Sequence, residues 1–319
     1  MKSFSKKAIL VLISFCILTL FFCGCERQQA EEAPTPVAEQ EENEQQRQVS
    51  FLFFSDTQAD PENGDYSVVG EIITLAVAQA GNPNLVIFGG DTVNDGGDAD
   101  EWREFWAVSA TPLFGLTTAA VPGNHDNHPL LAGQFNYPVS APAGQGEGYF
   151  YSFDMSPVHF IMLDSNIMGA ANDRDIEWLR TDLRSAESGQ AAWRIAVMHH
   201  PMWPVAENPK DAARAETMRA SFLPLFEEYG VDLILCGHQH VYARSIPLRN
   251  DITPHEEAGI VQIMAASGGK ASYAAGKQEY LSSSADAPNY LRISADEETL
   301  YIAAYDINGG LFDTYSVMR

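Results

Sequence analysis

This 319-residue sequence predicts an α/β fold of two packed mixed β-sheets flanked by helices, and three observations carry that reading. Short apolar runs alternate with amphipathic helical patterns from Val49 onward. Each early run ends on a compact polar cluster, as strands of an open sheet do where they deliver side chains to a ligand. After Cys236 the texture changes to strand-like runs without long helices between them. These would complete a second, largely antiparallel sheet packed on the first.

Val49 to Phe54 is apolar and aromatic, a first strand running into Ser55-Asp56-Thr57-Gln58. Val69, Ile72, Ile73, Ala76, Val77 and Ala80 fall at helical spacing, and Gly81 with Pro83 stops that helix. Leu85 to Phe88 is a continuous apolar run bounded by turn residues, which suits a strand covered on both faces. Gly89-Gly90-Asp91 follows its carboxyl end; taken alone, Asp91 could equally cap a helix or fill a turn. Asp98 with Glu101 reads as a capping pair opening a helix that buries Trp102, Phe105 and Trp106. Thr118 to Val121 is a short strand leading into Pro122-Gly123-Asn124-His125-Asp126. Asn127 to Gly148, dense in glycine and proline, predicts a long surface loop and a candidate substrate wall.

Tyr149 to Phe153 and Val158 to Leu163 predict adjacent strands, and Ile176, Leu179 and Leu183 mark the next helix. Ile195 to Met198 then delivers His199-His200-Pro201. A helix from about Ala212 to Tyr229 is expected to break at Pro224, and Val231 to Cys236 delivers Gly237-His238-Gln239-His240. Ile260 to Ala265, Tyr290 to Ser294, Leu300 to Asp306 and Asp313 to Val317 are the later strands.

Ahead of this domain, placed at residues 49–319, Lys2, Lys6 and Lys7 precede an apolar run from Ala8 to Cys23. That is the build of a signal peptide over residues 1–24, with an uncleaved anchor as the alternative. Phe22-Cys23-Gly24-Cys25 resembles a bacterial lipobox, which implies lipidation of Cys25 and an exported protein anchored by lipid to the cell envelope. Residues 25–48 are rich in Glu, Gln and Ala without apolar periodicity, the composition of a disordered acidic tether. Cys236 is the one cysteine outside the signal region, so the domain must rely on its core rather than an internal disulfide. A net charge of −24 disfavours polyanion binding, and no nucleic-acid partner is expected.

Five polar clusters, each after a predicted strand, belong together: Asp56-Thr57-Gln58, Gly90-Asp91, Gly123-Asn124-His125-Asp126, His199-His200-Pro201 and Gly237-His238-Gln239-His240. In this order they resemble the calcineurin-like metallophosphoesterases. Phe150-Tyr151-Ser152-Phe153, Val158-His159-Phe160 and Gly-His-Gln-His-Val-Tyr look like the purple-acid-phosphatase side of that family.

The resemblance implies a four-layer αββα sandwich and two divalent metal ions. One would be held by Asp56, Gln58, Asp91 and His240, the other by Asp91, Asn124, His199 and His238, with Asp91 bridging. Oxygen and imidazole donors without thiolate suit manganese, iron or zinc. His125 would stabilise the transition state or protonate the leaving oxygen, with Asp126 orienting its ring.

Gln58 stands where the family more often has histidine, which implies a weaker first metal position. Asn94 stands where purple acid phosphatases carry their iron-binding tyrosine, so no purple colour is expected. His200, Arg244 and Lys270 are weighed as substrate contacts against plain packing or surface positions. The expected activity is hydrolysis of phosphate esters, monoesters favoured. The alternatives are a phosphodiesterase acting on nucleotides or lipid headgroups, and a non-catalytic lipoprotein that binds metal or phosphate.

Overall fold

The computed structural model describes residues 48–59, 62–126, 128–136, 150–168, 173–189, 191–250, 253–254, 259–270, 273–286 and 288–319. The expected signal peptide, Cys25 and all of the tether before residue 48 lie outside them, as do Asn127 and residues 137–148 of the expected long loop and Tyr149 of the strand expected after it. The elements run β1 (Val49–Phe54), α1 (Ser67–Ala80), β2 (Leu85–Phe88), α2 (Ala99–Ser109), β3 (Thr118–Ala120), α3 (His128–Leu131), β4 (Tyr151–Met155), β5 (Val158–Met162) and α4 (Ser165–Met168). They continue with α5 (Asp173–Ser188), β6 (Trp193–Val197), α6 (Pro209–Glu228), β7 (Leu233–Cys236), β8 (Val241–Ser245), β9 (Leu248–Arg249) and β10 (Thr253–Pro254). Last come β11 (Val261–Met264), β12 (Leu281–Asp286), β13 (Asn289–Ala295), β14 (Thr299–Asp306) and β15 (Leu311–Met318).

One sheet has the order β15-β14-β13-β1-β2-β3 and the other β12-β8-β11-β7-β6-β5-β4. Because side chains alternate along a strand, each central strand feeds two cores. Phe51 and Phe53 of β1 face the second sheet, where Phe51 meets Phe160 edge-on at 5.1 Å, while Leu52 and Phe54 face α1 and α2. On β6, Ile195 and Val197 face the first sheet and Ala196 lies under Phe222 and Phe226 of α6. Helices therefore cover both outer faces, and the apolar runs are continuous because neither face of these strands meets water.

Four expectations need correction. The late strands do not build a second sheet of their own: β13, β14 and β15 return to flank β1, and the second sheet is made from β4 to β8 with β11 and β12. Pro224 does not break its helix, because α6 continues to Glu228. Phe222, Leu223, Leu225 and Phe226 are buried on either side of it, and that packing outweighs the one hydrogen bond a proline removes. Glu101 does not close a capping box with Asp98, whose side chain caps the N–H of Asp100 at 2.8 Å. Instead Glu101 Oε2 accepts from the N–H groups of Asn94 and Asp95 at 2.6 and 3.0 Å. Finally, His128–Leu131 forms a short helix within the expected loop.

At the other edge of the second sheet, β5 presents buried His159 to two carboxylates. Its Nδ1 lies 2.7 Å from Asp154 and its Nε2 3.0 Å from Asp182 of α5. Burial pulls the His159 pKa down, but the hydrogen bonds and charges of Asp182 and then Asp154 outweigh it and hold the ring above its ordinary 6.5. The folded state thus binds this proton more tightly than the unfolded chain does. Its stabilising contribution is fully present below the unfolded pKa and is lost as pH rises through the folded one. Urea unfolding on either side of neutrality is expected to show this loss on the alkaline side, and His159→Gln to remove that part of the pH dependence.

Candidate metal centre

All five polar clusters meet at the carboxyl ends of parallel strands. β1, β2 and β3 are parallel neighbours in the first sheet, and β6 and β7 in the second. Backbone bonds lock the turns together: Asp56 N–H donates to the Gly90 carbonyl at 3.0 Å and Gly237 N–H to the His199 carbonyl at 2.9 Å. Across the sheets, His238 N–H donates to both carboxylate oxygens of Asp56, at 3.0 and 2.9 Å. Asp56, Asp91, His238 and His240 all adopt positive φ, at 50°, 50°, 77° and 45°. Side chains rarely take this left-handed conformation, and backbone strain of this kind concentrates where ligands are held.

Two groups of candidate ligands result. Asp91, His199 and His238 can each offer an atom within 4.8 Å of the others, and so can Asp56, Asp91 and His240. Asp91 belongs to both. Gln58 is fully buried beside them, with its Oε1 accepting from Lys270 Nζ at 3.1 Å. Asn124 is exposed in the turn before His125.

The histidines are held in the forms a metal ligand needs. His199 Nδ1 donates to the Gly89 carbonyl at 3.0 Å, which leaves Nε2 as the nitrogen that faces the centre and can give up its proton to a metal. That Nε2 is buried, 3.2 Å from Asp91 Oδ2 and without a hydrogen-bond partner among the described residues. His238 Nε2 faces Asp211 Oδ1 at 3.1 Å, which leaves its Nδ1 for the centre. An orphaned buried nitrogen among clustered carboxylates fits a divalent cation.

Charge agrees. Burial pushes Asp56 up to about 7, with His199 opposing and Asp91 adding to the rise. Burial would raise Asp91 too, but the His199 charge beside it holds that carboxyl well below the usual range. His199 goes up to about 9 because Asp91 and Asp56 outweigh its burial. The carboxylates thus draw positive charge onto His199.

Around the ligands, Asp126 accepts from the backbone N–H groups of Asp91, Thr92 and Gly123 at 2.8, 3.1 and 2.8 Å. It clasps the two turns together, and it does not orient His125 as expected. That task falls to the Asn94 carbonyl, 2.7 Å from His125 Nδ1, in a loop held by Glu101. A carbonyl only accepts, so Nδ1 carries a proton and Nε2 is the nitrogen available for transfer.

His200 is tied through Nδ1 to Ser165 Oγ at 2.9 Å, and burial, with the charges of His199, His238 and Arg214, drives its pKa far down. It is a neutral packing residue. Arg244 is bound through two nitrogens to Asp313 at 2.8 and 3.1 Å and lies over Tyr315, so it braces β8 against β15 rather than meeting substrate.

Reading the sequence missed two neighbours. Asp211 opens α6 and looks like an ordinary first-turn acid, yet it holds both His238 and Gln239. Tyr273 stacks on His240 at 5.1 Å with the rings 6° from parallel.

Gly237 cannot carry a side chain, because a Cβ there would collide with Ser55 Oγ and Asp56 Oδ2. Gly237→Ala is expected to cost about 1–3 kcal/mol of stability by denaturant unfolding. Because the collision falls on Asp56, it should also lower the metal content measured by mass spectrometry.

Comparison with known proteins agrees with this geometry. The calcineurin-like phosphoesterase family model matches residues 49–242. Human acid phosphatase type 7 is 32% identical over 148 residues, covering 40% of this chain and 33% of its own. Arabidopsis thaliana purple acid phosphatase 23 is 29% identical over 148 residues, covering 44% and 32%. The chain therefore spans about a third of the length of these curated relatives. A purple acid phosphatase from yellow lupin seeds shares the fold with a TM-score of 0.71 at 17% identity, over 85% of this chain and 54% of that one. With the motifs at the carboxyl ends of the strands and the match running through them, the chain belongs to the calcineurin-like phosphoesterase family.

Proposed function

We propose that the protein hydrolyses phosphate esters with two divalent metal ions, preferring monoesters, and that it works at the cell envelope on a lipid anchor at Cys25. The observation that supports the chemistry most is the sharing of Asp91 between two ligand groups, which is what a paired-metal site requires. Asp56, Asp91 and His240 would hold one ion, and Asp91, Asn124, His199 and His238 the other. Manganese, iron or zinc suits these donors. When bound, the ions supply Lewis-acid polarisation of the phosphoryl group and an acidified water for in-line attack.

The protein's own groups do the rest. Asp91 supplies the negative charge that lets two cations sit side by side. The Gly89 carbonyl and Asp211 hold His199 and His238 in single tautomers. His125, gripped at Nδ1 by the Asn94 carbonyl, presents Nε2 to hand a proton to the leaving oxygen. Relatives named as acid phosphatases favour the monoester reading.

The test is hydrolysis of a chromogenic phosphomonoester and the matching diester by the protein loaded with manganese, iron or zinc. Metal-dependent turnover, faster on the monoester, is the expected result. Faster diester turnover would make the protein a phosphodiesterase, and turnover of neither ester would favour a binding lipoprotein. The anchor rests on the lipobox-like Phe22 to Cys25, and Cys25→Ala is expected to move the protein out of the membrane fraction.

A further inference from the structure

The loop after β11, Ser267 to Lys270, is laid directly on the turn that carries Asp56 and Gln58. Ser267 N–H donates to the Ser55 carbonyl at 2.7 Å, and Ser267 Oγ to the Asn289 carbonyl at 2.7 Å. A Cβ on Gly268 would collide with the Asp56 carbonyl oxygen and come within 2.6 Å of the Gln58 carbonyl oxygen, so only glycine lets the two turns close. That close approach is what brings Lys270 to the centre. Its ammonium rests on the side-chain oxygen of Gln58, a residue with no exposed surface.

We propose that Gln58 is the anchor of Lys270 rather than a metal ligand, and that Lys270 contacts a non-bridging oxygen of the substrate phosphate and selects dianionic monoesters. This rests on the phosphoesterase reading above. An ammonium has three donors, and the bond to Gln58 uses one. Among the described residues the other two have no hydrogen-bond partner, and the candidate ligands that share the Asp56–Gln58 turn's end of the sheets are carboxylates and imidazoles. Of the other cations near this end of the sheets, Arg244 is committed to Asp313, and Arg214 to the carbonyls of Ser165 and Asn166. In a chain of net charge −24, a cation held on Gln58 favours the ester with the extra negative charge. A diester carries one charge less and gains less from it. The departure of Gln58 from the family's usual histidine then has a use: an amide oxygen accepts from an ammonium, which a metal-bound imidazole cannot do.

The experiment uses the metal-loaded full chain with Lys270→Met, Lys270→Arg and Gln58→Ala. It reads kcat and KM on a phosphomonoester and a diester sharing one leaving group, inorganic phosphate affinity by calorimetry, and metal content by mass spectrometry. Lys270→Met is expected to raise the monoester KM and weaken phosphate binding about 10- to 100-fold, the range of a hydrogen bond to a charged group. The diester should lose distinctly less than the monoester, metal content should stay near wild type, arginine should restore part of the loss, and Gln58→Ala should follow Lys270→Met without losing metal.

Equal losses on both esters, unchanged phosphate affinity, or a changed metal content in Lys270→Met would overturn the contact. Metal loss in Gln58→Ala would overturn the anchor and return Gln58 to the ligands. If the wild-type protein hydrolyses neither ester, the hydrolase reading fails, and phosphate binding by wild type and Lys270→Met still decides what Lys270 does.

Discussion

Asp91→Asn is expected to remove metal-dependent turnover and to lower the bound metal below that of wild type. Asp91 is the single residue present in both ligand groups, so one substitution damages two sites at once. An amide is neutral and offers one good oxygen, which cannot offset the repulsion between two adjacent cations. Loss of an outer partner of a ligand costs about 10–100-fold. Loss of the bridging ligand itself should exceed that, at about 10³-fold or more in kcat/KM. A second readout separates this from misfolding: manganese should raise the melting temperature of wild type through linkage, and should do so much less in Asp91→Asn. A variant that keeps two ions and wild-type turnover would sink the paired-metal reading.

His125→Ala should behave differently, losing rate while keeping metal. The hydrogen bond from His125 to Asp91 is made by its backbone N–H, at 2.8 Å, and alanine retains it. What disappears is the imidazole that the Asn94 carbonyl holds at 2.7 Å. General acid catalysis of this kind contributes about 10²–10⁴-fold, so kcat should fall by that factor. The loss should also depend on the ester. A nitrophenolate departs without a proton and should suffer least, while an alkyl alkoxide needs one and should suffer most. Equal losses across leaving groups would remove His125 from proton transfer and leave it a charge-stabilising role.

Much of this architecture is legible in the residues, and what is hidden is hidden for physical reasons. Continuous apolar runs such as Leu85 to Phe88 announce strands covered on both faces, and the turns after them announce the ligands. Pairing partners are another matter, because alternation along a strand says which face is buried and nothing about which strand lies alongside. That is why β13, β14 and β15 appear to form a separate sheet until β13 is seen beside β1. β12 is Leu-Ser-Ser-Ser-Ala-Asp, polar and half exposed, and only its pairing with β8 makes it a strand. β8 is hidden differently, beginning immediately after the Gly-His-Gln-His turn. At the site, Asp126 looks like the partner of His125 because it is the adjacent residue. The real partner is a main-chain oxygen of Asn94, which no side-chain pattern reveals. Lys270 and Asp211 reach the centre through long-range packing, from 212 residues beyond Gln58 and 27 before His238.

The return of the C-terminal strands also sets an order of assembly. β1 lies between β2 on one side and β13 on the other, pairing Val49 with Ala295 and Phe53 with Leu291. A chain leaving the ribosome or a translocation pore can pair β1 with β2 early, but it cannot close the other edge until Ala295 has emerged. Until then β1 presents an open apolar edge, the kind of surface that recruits other chains. The turn carrying Asp56 would be supported from one side alone. Loop closure over such a span is slow, so the first half of the site should mature last, after the His199 and His238 turns of the second sheet are in place.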